Sequence, residues 1–116
     1  MGRVVALMDD LFFQMKLAET AKHLGLQVKV AANYEGLAPL LEPAPAVLIV
    51  DLNSRSEPIA AIARIRAEQK SVRIVGFLSH VQTELAEQAR AAGCDEVLPR
   101  SAFTKNLAEI LAVAKD

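Results

Sequence analysis

Tryptophan is absent and cysteine occurs once, at Cys94, in a chain of 116 residues. A single cysteine can form neither an intramolecular disulfide nor a cysteine-rich metal site. Secreted domains this small are often held by such bridges, so the composition points to a reducing cytoplasm. Aromatic residues are also scarce, four Phe and one Tyr, and the core has to be mainly aliphatic. No apolar run is long enough for a membrane span. The first one, Val4–Met8 behind Arg3, meets Asp9 and Asp10 at once, which excludes a signal peptide as well. Neither sign of charge dominates. Lys and Arg number 13 against 14 Asp and Glu, and they are scattered, so nucleic acid and anionic membrane are not expected as partners.

What remains is a chain that is 53% hydrophobic and 23% charged, suited to a packed core and sized for one domain, residues 1–116. Short apolar runs alternate with helical patterns. Val4–Met8, Val28–Ala32, Ala46–Val50, Val72–Phe77 and Glu96–Leu98 read as five strands. The third and fourth are nearly continuous in β-branched residues, as expected of strands covered on both faces. Phe13, Leu17, Ala21 and Leu24 form the apolar stripe of a first helix that Gly25 closes. Tyr34–Glu42 is a second helix kinked or shortened by Pro39. Pro58 opens a third, with Ile59, Ile62 and Ile65 on its apolar face. Leu85, Ala89 and Ala92 mark a fourth, ended by Gly93. A fifth starts near Ser101 or Thr104, buries Phe103, Leu107, Ile110 and Ala114, and leaves no segment for an output domain.

Strict βα alternation predicts an α/β fold with a parallel, doubly wound sheet and helices on both faces. Ligands in such folds bind beyond the carboxyl ends of the strands. Strand one delivers Asp9 and Asp10 there, strand three Asp51, strand four Leu78-Ser79-His80 and strand five Pro99-Arg100-Ser101. If strands one and three are neighbours, three carboxylates converge and need a cation or raised pKa values. A hard ion such as Mg²⁺ suits oxygen donors, and an arginine at the rim could neutralise part of the charge. Taken singly, each Asp could equally be a turn former or a helix cap. Cys94 reads as buried packing. A flavin- or nucleotide-binding enzyme would need a Gly- or hydroxyl-rich loop after strand one, where Asp-Asp-Leu-Phe-Phe stands instead.

The segments MDD after strand one, VLIVDLN around strand three and AAGCDEVLPRSAF around strand five resemble the response-regulator receiver domains of two-component signalling. The resemblance spans the whole chain, as a stand-alone, atypical receiver of the chemotaxis type or a pseudo-receiver. It implies a five-stranded flavodoxin-like sheet in the order 2-1-3-4-5. It further implies that Asp51 is the phosphoacceptor and Asp10 a direct Mg²⁺ ligand, with Asp9 binding the metal through water and Asn53 through its backbone carbonyl. Arg100 falls where the family has a lysine that pairs with the phosphoryl group. Ser79 supplies the family's switch hydroxyl if the following helix is one residue shorter; otherwise Leu78 holds that place. Val97 replaces an aromatic toggle, and the loop after Asp51, SRSEP, is shortened. The implied partners are a histidine kinase or phosphotransfer protein and a downstream protein. A partner or second copy would dock on helix four, strand five and helix five, around Glu87, Arg90, Lys105 and Glu109. The implied activity is at most self-phosphorylation from a phosphodonor and self-dephosphorylation, and the alternative is a pseudo-receiver that binds partners without phosphorylation.

Overall fold

The computed structural model describes residues 2–68, 70–79 and 82–114. Its strands are β1 (Arg3–Leu7), β2 (Gln27–Ala31), β3 (Val47–Asp51), β4 (Ile74–Leu78) and β5 (Glu96–Pro99). All pair in parallel, in the order β2-β1-β3-β4-β5. Both the strand order and the doubly wound α/β class agree with the sequence expectation. Every residue of β3 and β4 is buried, because each has a strand on both sides and helices above and below. Edge strand β2 is mostly exposed and buries only Ala31.

The two-residue period of a strand sorts the apolar side chains to opposite faces. Val5, Leu7, Leu48, Val50 and Ile74 point to one face. There they meet Leu37 of α2 (Tyr34–Leu37), Ile62 and Ile65 of α3 (Pro58–Ala67), and Ala89 of α4 (Thr83–Ala92). Val4, Ala6, Val47, Ile49, Val75 and Phe77 point to the other. They meet Phe13, Leu17 and Ala21 of α1 (Leu11–His23), with Phe103, Leu107 and Leu111 from the C-terminal helices. Three of the four phenylalanines are thus packed into one side of the sheet, and Phe12 on the same helix as Phe13 is exposed. Pro39 does shorten the second helix, and Ala38–Leu41 continues as a 3-10 turn.

Two expectations need correction. The last helix begins at Arg100, next to the expected Ser101, but it is two helices and not one, α5 (Arg100–Lys105) and α6 (Leu107–Ala112). Asn106 lies between them with φ −103° and ψ 16°, outside helical geometry. Asparagine is a poor helix former because its side chain competes for backbone partners. The buried series is also Phe103, Leu107, Leu111 and Ala114, whereas Ile110 is half-buried.

At the amino ends of β4 and β5, Arg66 ties α3 to the sheet. Its guanidinium donates to the carbonyls of Gly93, Lys70 and Val72 and to Asp95, all at 2.8–3.0 Å. Gly93 makes room for it: φ is +122°, and a Cβ there would stand 2.4 Å from Arg66 Cγ. Cys94 is buried beside Gly76, and burial pushes its thiol up from the ordinary value. That is the packing role expected of it. Among the described residues no helix is long and apolar enough to cross a membrane.

Candidate functional site

The site lies at the carboxyl ends of β1, β3, β4 and β5. Asp51 is the last residue of β3, and Asp9 and Asp10 follow β1 across one Met. The β1–β3 pairing, with Leu7 opposite Val50, therefore brings the acidic residues to one place. Asp51 is the one charged residue in the core of the described chain, 3% exposed. Its Oδ1 accepts the Asn53 backbone N–H at 2.9 Å. Burial raises its pKa. The Asn53 N–H and Arg100 oppose that rise, and the charges of Asp9 and Asp10 add to it.

Asp10 serves two partners with its two oxygens. Oδ1 caps α1 by accepting the Phe13 N–H at 3.1 Å, which satisfies one of the free donors of the helix start. Oδ2 faces Arg100 Nη1 at 3.5 Å. The other guanidinium nitrogen of Arg100 stands 3.9 Å from Asp51 Oδ2. One cation thus spans two of the three carboxylates. Asp9, exposed, turns the other way and accepts the Arg55 backbone N–H at 3.1 Å, tethering the loop after β3.

Arg100 is placed by its strand and its neighbours. It opens α5 directly after β5, where Phe77 and Leu98 are partners in register. Its guanidinium carbon lies 4.9 Å from the centroid of the Phe13 ring and 5.1 Å from that of Phe77. Both distances are within the range of cation–π attraction. The rings are themselves packed, Phe13 to Phe77 at 4.8 Å and Phe77 to Phe103 at 4.7 Å. This aromatic seat was not foreseen, because its members come from three separate elements. The signal for it is the β3–β4 register, which makes Phe77 the partner of Asp51.

Asn53, expected to contribute its backbone carbonyl, also uses its side chain. Its Oδ1 accepts the Ser79 N–H at 2.6 Å and its Nδ2 donates to Gln82 at 3.0 Å. The loops after β3 and β4 are thereby joined. Of the two candidates for the hydroxyl position, Leu78 ends β4 with its side chain in the aliphatic core. Ser79 is the first residue beyond it, half-buried. His80 lies outside the described residues. Val97, half-buried, packs on the aliphatic side. It borders a cleft of about 180 Å³ between α4 and β5. Glu87, Arg90, Lys105 and Glu109 are exposed. The large exposed apolar side chains, however, are mostly on α1: Leu11, Phe12 and Met15.

For a divalent cation the donors are right in kind, carboxylate oxygens and a carbonyl, the set that Mg²⁺ takes. Among the described residues no three His, Cys, Asp or Glu side chains already stand in a ligating arrangement. The charge that a metal would neutralise is shared with Arg100.

No family model matches the chain, and no curated protein matches it in sequence. Solved structures do match. The chemotaxis response regulator CheY4 of Vibrio cholerae is similar over 96% of this chain and 96% of its own, at 20% identity and a TM-score of 0.80. The receiver domain of the Francisella response regulator 1452 is similar over 98% and 96%, at 15% identity and a TM-score of 0.83. NtrX from Brucella abortus matches 98% of this chain at 17% identity and a TM-score of 0.81, but the match spans 27% of that longer protein. Identities this low speak for architecture: the chain has the fold of response-regulator receiver domains.

Proposed function

We propose that the chain is a receiver in two-component phosphorelay signalling, with Asp51 as the phosphoacceptor. The observation that carries this reading is the placement of Asp51, a buried carboxylate at the end of β3 flanked by a cation and two further acids. A carboxylate oxygen attacks the phosphorus of the donor; the bond from phosphorus to the donor's leaving group breaks, and that group keeps the electron pair. The product is an acyl phosphate on Asp51. Arg100 presents a planar guanidinium fork that stands ready to meet the phosphoryl oxygens. Ser79, tethered through Asn53, is the hydroxyl of the β4 loop in this reading.

Asp9, Asp10, Asp51 and the Asn53 carbonyl are the groups that would hold Mg²⁺. When bound, the ion neutralises charge between the carboxylates and the incoming phosphoryl oxygens. The donor is a histidine kinase or phosphotransfer protein, and the signal passes to a downstream protein in the cytoplasm. The face of α4, β5 and α5 is one surface for that partner or for a second copy.

A specific observation favours a second reading, a pseudo-receiver that binds partners without phosphorylation. Arg100 already compensates Asp10 and Asp51, so the pocket is tolerable without metal or phosphate. One experiment separates the two. Incubation with Mg²⁺ and acetyl phosphate should add one phosphoryl group, labile to hydroxylamine and absent from Asp51→Asn. Arg100→Lys should keep or increase the response. A wild type that stays unlabelled, where an ordinary receiver labels, decides for the pseudo-receiver.

A further inference from the structure

The two carboxylates nearest Arg100 have committed their other oxygens. Asp10 Oδ1 is held by the Phe13 N–H at the start of α1, and Asp51 Oδ1 by the Asn53 N–H. The oxygens left over, Oδ2 of each, are the two that face the guanidinium. An incoming cation and Arg100 therefore want the same atoms. The rings of Phe13 and Phe77 seat the guanidinium beside them, so leaving the carboxylates also costs it these cation–π contacts. Contacts of 3.5 and 3.9 Å are longer than charge-assisted hydrogen bonds, which makes the bridge displaceable.

We propose that Arg100 is an internal counter-cation, seated on Phe13 and Phe77, that competes with a divalent ion for Asp10 and Asp51. The proposal rests on the reading of these acids as a metal site. Its consequence is that the metal affinity of this pocket is set by an arginine that is not itself a ligand. Two cations a few ångströms apart repel, and the metal enters as the guanidinium leaves.

Mn²⁺ binding, followed by loss of the free-ion EPR signal, tests this on the intact chain. The wild type should bind weakly and Arg100→Gln about tenfold more tightly, since the buried Asp51 and half-buried Asp10 lose their competitor. Arg55→Gln removes an exposed charge from a neighbouring loop and should change affinity by about twofold or less, being screened by solvent. Arg100→Lys keeps the charge but not the planar stacking, and should bind about threefold tighter than wild type. That variant gives the answer if Arg100→Gln fails to fold. In the wild type, saturating Mg²⁺ should also shift the Arg100 Nε–H resonance. Equal affinity in wild type and Arg100 variants, with that resonance unmoved, overturns the competition while leaving the metal site intact. No Mn²⁺ binding by any form overturns the metal reading itself, and the inference falls with it.

Discussion

Arg66 and Arg100 stand at opposite ends of the same sheet, and each is partly buried. Arg66, at the amino ends of β4 and β5, donates four hydrogen bonds of 2.8–3.0 Å, three of them to backbone carbonyls. Carbonyls have nothing better to bind, so this arginine is a fixture that joins α3, β4 and the turn before β5. Arg100, at the carboxyl ends, has no partner closer than 3.5 Å among the carboxylates it bridges. Its body lies against two rings instead. Stacking confines the guanidinium without using up its donors, and five N–H groups remain for whatever enters the site. One end of the sheet satisfies its arginine and the other keeps it available.

The largest expected effect tests that contrast directly. Arg66→Met should lower unfolding stability by about 2–4 kcal/mol, because three part-buried carbonyls lose their donor, while Asp95 keeps the Ile74 N–H. Arg100→Met should cost about 1 kcal/mol or less in metal-free buffer, since long ionic contacts contribute little and the aliphatic stem still covers the rings. Denaturant melts of both variants give the comparison. Equal losses would mean that Arg100 is as structural as Arg66.

How much of this could be read in the sequence differs between the two ends. The strands were legible because β3 and β4 are apolar throughout, and the acids because they sit where apolar runs stop. Arg100 was found because it follows the fifth strand, within the resembling AAGCDEVLPRSAF segment. Its aromatic seat was not, since Phe13, Phe77 and Phe103 converge only through packing. Arg66 gave no signal at all: in sequence it is one more basic residue on a helix. The break at Asn106 was hidden for a related reason. Phe103 and Leu107 stay in phase across it, and Asn106 keeps its N–H bonded to Ala102, so the pattern of one helix survives in two.

A middle-sized effect concerns pH. Burial raises the Asp51 carboxyl above its ordinary value, about 3.9. Between the unfolded and the folded value the native state holds more protons than the unfolded one. Stability therefore falls as pH rises through that window and stays lower above it. Asp51→Asn removes this loss while its amide oxygen can still accept the Asn53 N–H. In metal-free buffer the variant should melt higher than wild type at neutral pH, and the gap should close as pH falls below the ordinary Asp value. A gap that widens on acidification would mean that Arg100 outweighs burial at Asp51.

The smallest effect separates the two duties of Asp10. As an N-cap its Oδ1 satisfies the Phe13 N–H; as an anion its Oδ2 faces Arg100. Asparagine caps helices about as well as aspartate, so Asp10→Asn should change stability by only a few tenths of a kcal/mol. Asp10→Ala, losing the cap, should cost about 1 kcal/mol. Both variants remove one of the two carboxylates that Arg100 spans, and both should weaken Mn²⁺ binding to a similar degree. Thermal melts and the EPR titration together read the two roles independently. If Asp10→Asn matched Asp10→Ala in stability, the charge rather than the cap would be what anchors α1. The start of that helix would then depend on Arg100, and the cation could not leave the pocket without loosening Phe13 beneath it.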